Sequence, residues 1–122
     1  MPHPPLFLAA ILLAALSLRG QTDPLPVGVV GLTHSHVHGV FNGAGRGDIE
    51  IVGIVEDNDT LVERYREQYG FDPGLVYPTL EAMVAARQPE AVAAFGSIYE
   101  HLAIVEFCAP RGIHVMVESP WR

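Results

Sequence analysis

The chain has 122 residues, enough for one domain and too few for two. Its formal charge is -7, and all seven basic residues are arginines because the sequence holds no lysine; this argues against a nucleic-acid partner and excludes lysine Schiff-base or lysine acid chemistry within the chain. Cys108 is the single cysteine, so an internal disulfide and a cysteine-based zinc site are excluded as well.

The first element in chain order is "LFLAAILLAALSL", Leu6 to Leu18, apolar throughout. It is shorter than the roughly 20 residues a membrane-spanning helix needs and matches a signal-peptide core. Residues 1–20 are therefore expected to be a signal peptide, or a membrane anchor if uncleaved. That makes the protein secreted or periplasmic. Residues 21–26 read as a polar, Pro-containing linker, and residues 27–122 as the folded domain.

The domain begins with "VGVVG" (27–31), a continuous β-branched run of the buried-strand type. A helix is expected from His34 to Gly43, ended by "GAGRGD". "IEIVGIV", Ile49 to Val55, is a second strand. The next helix, "TLVERYREQYG", has Thr60 and Glu63 at capping-box spacing, an inner face of Leu61, Tyr65 and Gln68/Tyr69, and a glycine stop. "GLVYP" is a short strand, and Thr79 caps the helix "LEAMVAARQ". "AVAAF" (91–95) is a fourth strand. "YEHLAIVEFCAPRG" is a helix with Leu102, Val105 and Cys108/Ala109 facing inward, and "IHVMV" (113–117) is a fifth strand of the buried type. Strand and helix alternate with short connections. The expected fold class is α/β, a Rossmann-type doubly wound parallel sheet of about five strands with helices on both faces.

In such sheets ligands sit beyond the carboxyl ends of the strands. The first of these ends is Gly31-Leu32-Thr33-His34-Ser35-His36. It stands where a dinucleotide fold carries G-x-G-x-x-G, but Thr33 and His36 replace the second and third glycines. A helix N-terminus still offers N–H groups to phosphate, and Thr33, His34 and Ser35 can add donors. At the second end Glu56 is placed to accept from a ribose diol. A carboxylate there repels a 2′-phosphate and favours NAD over NADP; an ordinary acidic turn is the plainer reading of "EDND". The fourth end brings Ser97 and His101, with Ser97 equally suited to capping the helix, and the fifth brings Glu118.

His34, His36 and His38 also raise a metal site, since H-x-H follows the first strand of metal-dependent hydrolase barrels. That fold needs about 200 residues or more and further ligands, and only His101 and His114 remain in the domain. No metal ligand is assigned.

Taken in order, "VGVVGLTHSHVHG", "IEIVGIVEDND…ERY" and "PEAVAAF…YEHLAIVEFCAPRGIHVMVESP" resemble the N-terminal NAD(P)-binding Rossmann domain of the Gfo/Idh/MocA oxidoreductases, over Pro26 to Pro120. The resemblance implies NAD or NADP as cofactor and a sugar, cyclitol or related hydroxyl compound as substrate. It places Gly31, Thr33, His34, Ser35 and His36 in the pyrophosphate loop and Glu56 on the ribose. Ser97 and His101 fall near the nicotinamide side, with Glu118 closing the cleft. Three departures stand beside it. Two loop glycines are missing, Ser119 occupies the place of the family's Glu-Lys-Pro lysine, and the family's second domain, which supplies most of the substrate pocket, is absent. The chain thus reads as a fragment that binds a dinucleotide but lacks catalytic residues. It would contact a sugar only if a second domain exists, and its uncovered docking edge favours homo-oligomers. A non-catalytic nucleotide- or sugar-binding descendant of the family is the alternative, and a His-rich metal hydrolase the third reading.

Overall fold

The computed structural model describes residues 23–117. The signal-like segment at 1–20 and Glu118 lie outside the described residues, and no helix among those described is long and apolar enough to cross a membrane. Five strands form one sheet: β1 (Leu25–Val30), β2 (Ile49–Val55), β3 (Val76–Tyr77), β4 (Ala91–Ala94) and β5 (His114–Val117). Four helices alternate with them: α1 (Val37–Arg46), α2 (Asp59–Tyr69), α3 (Leu80–Arg87) and α4 (Ile98–Cys108). All pairings are parallel and the strand order is β3-β2-β1-β4-β5. The expected fold class is what forms.

Side chains alternate across the strands and divide the core in two. Val27, Val29, Ile54 and Ala93 face α1 and α2, meeting Val37, Phe41 and Tyr65. Val30, Val92 and Ala94 face α3 and α4, meeting Met83, Ile104 and Cys108. On this second face Gly28 pairs with Gly53 across β1 and β2. A Cβ on either would lie 2.4 Å from a Met83 side-chain carbon, so the two glycines form the notch that receives this fully buried methionine.

Several expectations are corrected. β1 starts at Leu25, taking in the end of the anticipated linker. α1 starts at Val37 and not at His34, because residues 34–36 form a tight turn in which Val37, His38 and Gly39 N–H groups donate to carbonyls three residues back. It runs past Gly43 to Arg46 and stops at the left-handed Gly47, since Gly43 is buried against Ile49 and the packed face continues beyond it. α2 is capped by Asn58, whose Oδ1 accepts from Leu61 N–H at 3.1 Å. Thr60 already sits inside the first turn, and Glu63 pairs with Arg66 at 2.6 Å. Thr79 does cap α3, accepting from Ala82 N–H.

α4 is rotated relative to the anticipated face. Ile104 and Cys108 are buried, whereas Leu102 is 68% and Val105 38% exposed. The helix is apolar on both sides, so periodicity could not choose between them. The sheet takes the side carrying His101, Ile104 and Cys108. β5 is an edge strand and not a buried one. Val115 packs towards α4, while His114, Met116 and Val117 are exposed.

Candidate functional site

The sheet order reverses between β1 and β4, and the two strands diverge into connections on opposite faces there. This is the topological switch point, where open parallel sheets leave a crevice. The crevice is built from backbone outward. Gly31 follows β1 at φ +85, a left-handed conformation that only glycine adopts cheaply. A Cβ at Gly31 would also lie 2.6 Å from the Gly96 nitrogen, so the ends of β1 and β4 touch backbone to backbone.

Further bonds lock this turn to both neighbouring strands. Phe95 N–H donates to the Val30 carbonyl at 2.7 Å and His34 N–H to the Phe95 carbonyl at 3.0 Å. On the other side Gly31 N–H donates to the Val55 carbonyl at 2.8 Å. Leu32, fully buried, donates its N–H to Glu56 Oε1 at 2.9 Å. Glu56 Oε2 in turn accepts from the N–H groups of Asp57 at 3.0 Å and Asn58 at 3.1 Å. Glu56, anticipated as a ribose acid, is in the structure a clamp between the β1 and β2 turns.

An open cleft of about 570 Å³ lies above this floor. Of the residues singled out in the sequence, Gly31, Thr33, Glu56 and Ser97 line it together. Ser97 also caps α4, its hydroxyl accepting from Tyr99 N–H at 3.2 Å. His34, Ser35 and His36 occupy the same turn with exposed side chains but do not line this cleft. His34 Nδ1 accepts from His36 N–H at 3.2 Å, and His36 borders a groove on the α1 side with Phe95 and Met116. The side chains at both replaced glycine positions, Thr33 and His36, are exposed, so the turn closes without glycine at either. His101 is half-buried on α4, its Nε2 enclosed and without a hydrogen-bond partner among the described residues.

His38 belongs elsewhere. Its ring stacks on Tyr65 and pairs with the hydroxyls of Tyr69 and, at 3.3 Å, Tyr65, joining α1 to α2. Among the described residues no group of three or more His, Cys, Asp or Glu side chains is assembled to hold a metal ion.

Sequence reasoning did not single out Glu81, Tyr99 and Glu100, which also line the cleft; Tyr99 is 90% exposed at its mouth. A signal for them exists. Helices following parallel strands start at the same end of the sheet, so the first turns of α3 and α4 converge on one crevice. A larger groove of about 630 Å³ lies at the amino ends of β1 and β2, lined by Phe41, Ile49 and Tyr69, with Glu50 as its one charged side chain. It lies at the end of the sheet opposite the strand termini where ligands bind.

The chain matches the model of an oxidoreductase family with an NAD-binding Rossmann fold, Gfo/Idh/MocA, over residues 25–121. No curated protein matches it by sequence. Among solved structures it is similar to the WlbA dehydrogenase of Chromobacterium violaceum in complex with NADH and UDP-GlcNAcA, at TM-score 0.66 and 18% identity, covering 80% of this chain and 28% of that one. It is similar to the Bordetella pertussis WlbA dehydrogenase, in complex with the same two ligands, at 0.65 and 22%, covering 80% and 30%. The UDP-N-acetylglucosamine 3-dehydrogenase GnnA of Acidithiobacillus ferrooxidans aligns at 0.60 and 20%, again over 80% and 30%. Such identities speak to fold, and the chain spans less than a third of the length of these neighbours.

Proposed function

The chain belongs to the Gfo/Idh/MocA oxidoreductase family through its NAD-binding Rossmann domain, and from that premise we propose that it is the cofactor-holding part of an oxidoreductase acting on sugar-like hydroxyl compounds, with NAD preferred over NADP. The observation that supports this reading is the crevice at the β1/β4 switch point, floored by Gly31 and Gly96 and clamped by Glu56. A bound nicotinamide supplies the hydride acceptor or donor. The chain's own residues hold the dinucleotide. Gly31 brings the backbone turn close, and the hydroxyls of Thr33 and Ser35, in the turn before α1, offer donors towards the diphosphate. Glu56 keeps accepting capacity beyond its three backbone bonds and repels a phosphorylated ribose.

The substrate class is proposed from the relatives, two of which were solved with a UDP-sugar acid and one of which is a UDP-sugar dehydrogenase. Hydride transfer also needs a group that moves the hydroxyl proton. Ser119 stands where the family's lysine would, and a neutral hydroxyl cannot supply an ammonium. The 122-residue chain is therefore proposed to bind cofactor without turning substrate over. Calorimetric titration with NADH and NADPH tests the binding, with saturable NADH binding expected and NADPH weaker. If neither dinucleotide binds, the reading fails. Accumulation of NADH from NAD and a UDP-sugar by this chain alone would overturn the claim of inactivity. We also propose export directed by Leu6–Leu18. A phosphatase reporter that is active only outside the cytoplasm, fused after residue 26, should be active, and an inactive reporter counts against export.

A further inference from the structure

The two edges of the sheet differ. The β3 edge is two residues long, and Arg87 reaches across to the Tyr77 hydroxyl there. Short edges with a charged side chain over them resist pairing with another strand. β5 has neither protection. Its four residues, His114–Val117, include no lysine, arginine, acid or proline, and they pair with β4 in unbroken register. Among the described residues no strand lies on its outer side. His114 N–H donates to the Glu90 carbonyl, so the backbone groups of His114 and Met116 are directed at β4. The N–H and C=O groups of Val115 and Val117 therefore point out from the edge.

α4 lies over β4 and β5, with Ile104 and Cys108 in one cluster with Val92, Ala94 and Val115. Glu100 and Ala103, on one flank of the helix, line the cleft towards α3. The other flank, on the side of the free edge, carries Ile98, Leu102 and Val105, which are 49%, 68% and 38% exposed. Met116 and Val117 continue this apolar strip on the strand, at 57% and 38%. Of the large apolar side chains exposed among the described residues, only Leu25 and the cleft-side Tyr99 lie elsewhere.

We infer that this strip is an interface between two copies of the chain, built on antiparallel pairing of β5 with the same strand of a second copy about a two-fold axis perpendicular to the sheet. Directly opposed residues in such a pair share a face, and the outward backbone groups must meet. The register that satisfies both conditions sets Val115 opposite Val117 of the second copy and Met116 opposite its own counterpart. The free N–H and C=O groups of Val115 and Val117 are then all paired. The same axis keeps both α4 helices on one face of the joined sheet. With strands about 4.8 Å apart and α4 above β4 and β5, the two helix axes come to about 10 Å, the spacing of packed helices. Their Ile98, Leu102 and Val105 flanks face each other. One symmetry operation thus pairs the open edge and covers the apolar flank. A two-fold contact also requires a surface that complements itself, and none of the five strip residues is charged. Their exposed fractions correspond to about 400 Å² of apolar surface per copy, a patch of the size that marks association sites. Doubled, and with strand backbone and rim added, the contact buries about 1,200 Å², the lower bound for a specific stable interface. The inference is independent of the cofactor reading.

The test is sedimentation velocity on the whole chain from about 1 to about 100 µM, where a micromolar dimer is expected. Leu102→Glu alters a largely exposed side chain and sets two carboxylates against each other at the contact. It should weaken the dimer at least about a hundredfold while helix content by circular dichroism is unchanged. Val117→Pro removes an outward N–H without removing a bond to β4, and should also give a monomer. Amide exchange at Val115 and Val117 should slow at least about tenfold between the dilute and concentrated ends, while His114 and Met116, already bonded to β4, change little. A chain that stays monomeric at the highest concentration overturns the inference. So does association that persists in both variants, since contact through Leu6–Leu18 or any other surface would be indifferent to them. If Val117→Pro does not fold, Leu102→Glu and the exchange pattern decide by the same criteria.

Discussion

Glu56 is asked to do two things with one carboxylate. It accepts from Leu32, Asp57 and Asn58 N–H groups, and it faces the cleft. Hydrogen bonds to a charged group contribute about 1.5–3 kcal/mol each where water is excluded, and a half-buried site realises a fraction of that. Glu56→Ala is expected to cost about 2 kcal/mol in urea unfolding and Glu56→Gln about 1 kcal/mol, both with weaker NADH binding. An unchanged unfolding midpoint in Glu56→Ala would show that the clamp contributes nothing. Its place at the end of β2, beside the Gly31 turn, was legible in the sequence from its spacing to Gly31. Its clamping role was not, because that role depends on where the Leu32 N–H points. The same holds for His38, whose partners Tyr65 and Tyr69 lie 27 and 31 residues away. Cys108 is a second residue whose environment decides its chemistry. It is fully buried, and burial pushes its thiol above the usual range while Arg111 pulls weakly down. A raised folded-state value means that the stability contribution is complete below the unfolded thiol's value of about 8.5. It is lost as pH rises from there through the folded value. Wild type should therefore lose stability as pH climbs above about 8.5, and Cys108→Ala should flatten that segment of the curve. Native alkylation should also run more than about tenfold slower than in denaturant, and equal rates would contradict the burial.

At the scale of elements, the fit of α3 to the sheet depends on two absences. Gly28 and Gly53 are register partners, and both open the space that Met83 fills. A methyl group at Gly53 would meet Met83 Cγ at 2.4 Å and force the helix or the side chain to move. Overpacking of this kind costs about 1–3 kcal/mol, and emptying the notch by Met83→Ala about 2–5 kcal/mol. The two changes compensate in space. Gly53→Ala in the Met83→Ala background should cost about 1 kcal/mol less than in wild type, or even stabilise. Additive losses in calorimetric unfolding would mean that the two residues do not share the notch. The strand assignments were legible because each run was short, mostly apolar and bounded by turn residues. The glycines within them were silent in the sequence, since a glycine in a strand shows no partner until a helix is laid across it. The face of α4 failed for a related reason. Ile98, Leu102 and Val105 compete on apolarity with Ile104 and Cys108, and only contact with Val92 and Ala94 across the sheet decides which set is buried.

At the scale of the whole molecule, the alternation of strands and helices carried the fold class, and the fold class carried the location of the candidate cleft. A parallel sheet of this order has one reversal, and the glycine turn and the acid had to meet beside it. That Glu81 and Glu100 line the cleft could not be anticipated in the same way, because it needs two helices to be placed before their first turns converge. The topology has a thermodynamic consequence. The cleft draws on β1 and β2 on one side of the reversal and on β4 and α4 on the other, while the direct seam between β1 and β4 spans four paired residues. A ligand seated there bridges both halves, so its binding energy should appear as resistance to global unfolding and not merely as ordering of a loop. At a free NADH concentration of about 100 times Kd, the unfolding free energy should rise by about 2.7 kcal/mol. Hydrogen exchange should slow in β1, β2 and β4 together with the turns at Gly31–His34 and Gly96–Ser97. If saturating NADH protected those turns while the strands exchanged as before, the ligand would be stabilising the cleft locally, and the two halves of the sheet would unfold as separate units. If the shift in stability matched the binding constant and the strands slowed in concert, the switch point would be the seam through which cofactor binding holds the domain together.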